Sequence, residues 1–104
     1  MSEIKSPPKS KLVVIANLSE DAFNRDLAAL NGYRLETFYE QRTGILNFVA
    51  TLGERPFRTE AQQLLWLPEQ RQTQIDARTQ AGWSLRFVFV NSEGQALALF
   101  ETES

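Results

Sequence analysis

Cysteine and histidine are both absent from the 104 residues. Without a thiol or an imidazole, disulfide scaffolds, cysteine nucleophiles, histidine general bases and ordinary zinc sites are excluded. No apolar run is long enough to cross a bilayer as a helix. Nor does charge of one sign dominate. Eleven Lys and Arg against 13 Asp and Glu leave a net charge of −2, which advertises no polyanion partner. The start of the chain lacks the apolar core that a secretory signal needs, so with no cysteine a cytoplasmic location is expected. What remains is ordinary for a soluble globular protein: 42% hydrophobic and 23% charged residues. The length suits one compact domain, or two very small units sharing a core.

Residues 1–10 hold Pro7-Pro8, three serines and two lysines. They cannot bury enough surface to order themselves, so a mobile tail is expected. Folding is expected from Lys11, with the β-branched run Leu12, Val13, Val14 and Ile15 as a buried strand. Ser19 stands where a helix N-cap belongs, and Glu20 and Asp21 suit the positive end of the helix dipole. Phe23, Leu27 and Leu30 recur at i, i+4 and i+7, giving the helix one apolar stripe. Gly32 closes it. Strands over 33–40 and 45–52 follow, joined by a short loop with Gly44 where positive φ is wanted. The unit reads β-α-β-β.

The same signals return fifty residues later. Gly32-Tyr33, Leu35 and Gly44 correspond to Gly82-Trp83, Leu85 and Gly94, which predicts two units, 11–54 and 61–104, within one domain. Over 59–67 the local and repeat signals disagree. Thr59 and Gln62 resemble a capping box and no β-branched residue follows, which suits a helix. The repeat instead asks for a strand over 63–67 and a helix over 68–81 opened by Pro68. We expect strand then helix, with the all-helical alternative open. Ile75 is the one large apolar residue of that second helix, which places it at the periphery.

The run Gln74-Ile75-Asp76-Ala77-Arg78-Thr79-Gln80-Ala81-Gly82-Trp83-Ser84-Leu85 resembles a signature of small bacterial β-α-β-β domains of unknown function. In these a helix is followed by Gly-(Trp/Tyr)-x-Leu opening a hairpin. Asn31-Gly32-Tyr33-Arg34-Leu35 looks like a second copy. The resemblance implies a bacterial protein of α+β class, with two pseudo-repeated β-α-β-β units. These would form a mainly antiparallel sheet with two helices on one face, ferredoxin-like or akin to a dimeric α+β barrel. It carries no catalytic residue across.

Strand alternation sorts the hairpins into faces. Trp83, Leu85, Phe87 and Phe89, with Leu97 and Leu99, are expected opposite Val88, Val90, Ala96, Ala98 and Phe100. In the first hairpin Phe38, Leu46, Phe48, Ala50 and Leu52 are expected opposite Tyr33, Leu35, Tyr39, Ile45 and Val49. Both faces are apolar, and two helices cover only one, which monomers seldom tolerate. A curled-over barrel or a second copy must cover the other. At roughly 25 cal/mol per Å², burying about 600 Å² per chain offers about 15 kcal/mol gross, before association costs. A homodimer is therefore expected. Trp66, between two leucines and Pro68, is free to face a partner. The candidate interaction residues are Trp66, Phe38, Phe48, Val88, Val90 and Phe100.

Catalysis without His or Cys would need carboxylates, Lys, Tyr, Ser or a metal. The acids are dispersed, and Glu36 and Glu40 stand too far apart along a strand to act as a pair. No phosphate-loop, dinucleotide, nucleophile-elbow or EF-hand pattern occurs. No catalytic residue, cofactor or metal ligand is assigned. Arg34 and Arg86 on matching strands are candidate anion ligands, with a surface ion pair or a sheet-covering stem as the plainer role. The arginines are scattered singly, so nucleic acid is not an expected partner, and neither is a membrane. The expected function is a non-enzymatic protein-interaction module, an adaptor, inhibitor or regulator, acting as a homodimer. The alternative is a small-ligand sensor or enzyme with an apolar pocket between sheet and helices.

Overall fold

The computed structural model describes residues 8–30, 32–42, 44–53, 57–91 and 93–103. The elements are β1 (Ser10–Ile15), α1 (Glu20–Ala28), β2 (Tyr33–Arg42), β3 (Ile45–Leu52), β4 (Phe57–Gln63), α2 (Pro68–Gln80), β5 (Ser84–Val90) and β6 (Ala96–Glu103). The fold is α+β, built as two β-α-β-β units. In each unit all pairing is antiparallel and the last strand lies in the middle, giving the orders β1-β3-β2 and β4-β6-β5. The parallel between them extends to an irregularity. Register shifts between Leu35 and Thr37 in one unit and between Leu85 and Phe87 in the other, leaving Glu36 and Arg86 as the extra residues. Gly32 and Gly82, at φ +88° and +93°, turn the chain from helix into hairpin in a conformation that side chains resist.

The two units form separate three-stranded sheets, where sequence alternation had pointed to one shared sheet. A physical cause lies on α1. The Asn24 side chain accepts from the Ala61 amide (2.6 Å) and donates to the Ala61 carbonyl (2.9 Å), while Glu20 accepts from the Gln63 amide (2.6 Å). These are the hydrogen bonds that a neighbouring strand would make. The edge of β4 is thus closed by a helix, one of the ways sheets are kept from extending.

The sheets stack face to face. The first sheet presents Leu46, Phe48 and Ala50, with α1 beside them, to Phe87, Phe89, Leu97 and Leu99 of the second. Phe23, Phe38, Phe48, Phe87 and Phe89 meet there with ring centroids 5.3–6.3 Å apart, a spacing at which aromatic pairs add to simple burial. A smaller core lies on the far side of the second sheet under α2, where Leu64, Ala98 and Phe100 pack with Ile75 and Trp83. Phe23 and Leu27 of α1 are buried, as the stripe implied, whereas α2 buries no residue.

Three expectations need correction. The extra residue in each hairpin inverts the alternation before it: Leu35 pairs with Ala50 on the face of Phe38 and Phe48, and Leu85 pairs with Phe100 on the face of Val88 and Ala98. Strand β4 ends at Gln63, where the expected strand was to begin, so the second unit opens at Phe57; Leu64 to Leu67 form the connection, and Pro68 starts α2. Residues 1–7 of the expected tail lie outside the described residues, but 8–10 are held. The Tyr33 hydroxyl donates to the Pro8 carbonyl (2.7 Å), the Leu52 amide donates to the Lys9 carbonyl (2.8 Å), and Ser10 begins β1. Among the described residues no helix is long and apolar enough to cross a membrane.

Candidate functional site

Exposed large apolar side chains gather in two places. On the outer face of the first sheet stand Leu12, Val14 and Tyr39; Val14 and Tyr39 flank Asn47 in one row, and Leu12 lies in the next, beside Val49. Asn47 itself is buried in their midst and donates to Gln41 Oε1 (3.1 Å). On the opposite side of the stack, around α2, stand Leu65, Trp66 and Leu67 of the β4–α2 connection and Leu85, Val88 and Val90 of β5. Trp66 is 86% exposed and Val90 60%. Single exposed apolar residues are normal, but gathered ones mark contact surfaces.

The sequence-predicted interaction residues divide. Trp66, Val88 and Val90 are exposed, with Trp66 and Val90 lining one cleft. Phe48 and Phe100 are fully buried, one in each core, and are not available to a partner. Phe38 is half-buried against Phe48, Phe87 and Phe89. Phe38 and Phe48 are covered because each sheet covers part of the other's apolar surface, which the single-sheet reading left bare, whereas Phe100 is covered by α2.

Arg34 and Arg86 do come together, on Glu101. Arg34 Nε donates to both carboxylate oxygens at 3.1 and 3.2 Å, and Arg86 Nε stands 3.7 Å from one of them. Arg86 Nη2 donates to the Leu35 carbonyl at 2.9 Å, while its buried Nε has no hydrogen bond. Glu101 is only 6% exposed. Two cations thus converge, which the sequence did not announce, on a carboxylate of the chain itself, tying the two units. Glu101 was not singled out from sequence, although it alternates with Leu97 and Leu99 as a charged residue on an apolar strand face.

Two clefts flank α2. One, of about 590 Å³, is lined by Leu65, Ala77, Arg78, Ala81 and Trp83 among others. Arg78 is held there by Gln62 (2.8 Å) and Glu60 (3.4 Å), with its guanidinium 4.9 Å from the Trp83 ring centroid. The other, of about 510 Å³, runs between Leu64, Trp66, Arg71 and Val90, with Glu93 at its side; Arg71 Nε is buried without a hydrogen-bond partner. Among the described residues no three acidic groups converge as metal ligands would. No family model, curated protein or solved structure matches this chain.

Proposed function

We propose that this chain is a non-enzymatic protein-interaction module, an adaptor, inhibitor or regulator, that works in association with a second copy of itself, as a homodimer at the least. The observation that supports this reading is the sorting of exposed apolar side chains into two sets on opposite sides of the stack, with Trp66 as the most exposed. Aromatic residues in such settings are the usual anchors of interfaces. A bacterial cytoplasmic setting accords with a chain free of cysteine. Affinity capture from the source cell, with mass-spectrometric identification, tests it. A specific partner protein is expected with the wild-type chain and is lost with Trp66→Ala or Tyr39→Ala. A capture profile that both variants leave unchanged overturns the reading.

One observation favours a second reading, a small-ligand sensor or enzyme. The clefts beside α2 have the size of ligand sites, and Arg71 lines one of them with a buried Nε that has no hydrogen-bond partner. A thermal-shift screen against carboxylate metabolites separates the two, since a ligand that binds the folded state raises the melting temperature.

A further inference from the structure

We propose that copies of this chain join head to tail, by repeating between chains the contact that holds the two units together within one chain. The proposal rests on the reading of a self-associating module and specifies which surfaces meet.

Within the chain the contact is one-directional. The helix-bearing face of the first unit seats on the helix-free face of the second. Phe38 packs on Phe87 and Phe89 at centroid distances of 5.3 and 5.8 Å. Leu18, two residues before α1, is 7% exposed, and its carbonyl accepts from the Asn91 side-chain Nδ2 at 3.4 Å. A contact between unlike surfaces leaves one of each unused, the condition under which subunits can add in series. The unused pair is the helix-free face of the first unit and the helix-bearing face of the second. These are the two places where exposed apolar side chains gather.

The correspondence holds residue by residue. The counterpart of Phe38 fifty positions on is Val88, 48% exposed. Helix α2 starts 48 positions after α1, so the counterpart of Leu18 by its place two residues before the helix is Trp66, 86% exposed. The surfaces that Phe89 and Phe87 provide inside the chain are matched on the first unit by Tyr39, 52% exposed, and Thr37. Seating Trp66 and Val88 of one copy on the Tyr39 face of the next would bury both sets, with neither used twice. The ion cluster is not repeated, because Ser84, Glu36 and Thr51 stand where Arg34, Arg86 and Glu101 would be needed. The contact between copies is therefore weaker than the one within the chain, and assembly depends on concentration.

Sedimentation velocity of Tyr39→Glu, Val88→Glu and their mixture tests this, with circular dichroism melts checking that each variant folds. The wild-type chain gains mass with concentration, and each variant alone stays at the 11.9 kDa of one chain. The equimolar mixture forms a mixed dimer of twice that mass and nothing larger, since each variant keeps one intact surface. The chain has no cysteine, so Tyr39→Cys mixed with Val88→Cys is expected to give a disulfide-linked mixed dimer that neither forms alone. A wild-type chain monomeric up to millimolar concentration overturns the proposal. So does one variant assembling like the wild type, or a mixture that restores neither the dimer nor the cross-link. A monomer that still captures a protein through Trp66 would retain the interaction module while ending both its self-association and this proposal.

Discussion

A carboxylate removed from water is costly unless cations and hydrogen bonds meet it, and Glu101 has both. Replacing it by glutamine keeps the shape, removes the charge and leaves Arg86 facing a neutral group. Glu101→Gln is expected to lower the unfolding free energy by about 1–3 kcal/mol. The lower part of that range is favoured because the Arg34 side chain is 41% exposed and screened by solvent. Chemical denaturation measures it, and an unchanged midpoint would remove Glu101 from the contacts that matter. At this scale the sequence was half legible. Arg34 and Arg86 were both singled out as candidate anion ligands, but nothing local names a carboxylate 67 positions from Arg34 as their common partner. Asn24 was illegible for the same reason, since its bonds to Ala61 span 37 positions and nothing local marks it.

The two helices share a place in the element order but not in packing. Leu27 of α1 is 4% exposed in the main core, while Ile75 of α2 is only partly buried at the edge of the small one. Leu27→Ala is expected to cost about 2–4 kcal/mol, and Ile75→Ala about 1 kcal/mol or less. Thermal or urea melts of the pair decide it, and equal losses would contradict the difference in packing. Both helices were readable because their signals are local: an apolar stripe, Pro68 at the first turn, Gly32 and Gly82 at the exits. The strand faces were readable only up to Glu36 and Arg86. Alternation assumes a period of two, and one extra residue reverses everything on its other side. Strand β4 was misplaced because, after Phe57, its inward residues are Thr59, Ala61 and Gln63, too small or too polar to announce a core.

For the whole molecule, the main core draws side chains from both sheets and from α1. Neither unit can unfold without exposing the other's Phe38 or Phe89 and Leu97. A single cooperative transition is expected, with near-ultraviolet and far-ultraviolet circular dichroism changing together. Two resolved steps would show that the sheets are independent. The repeat of β-α-β-β was legible from punctuation alone, whereas the stacking of two sheets was not, because strand order along a chain does not say which edges are blocked. The nine residues of α1 meet two demands at once, filling a hydrophobic layer below and gripping a foreign strand alongside. The outer surface of α2 meets neither. Evolution accordingly has latitude at exposed positions of that outer helix such as Gln72 and Asp76, while a change on the inner one is felt by both halves of the protein.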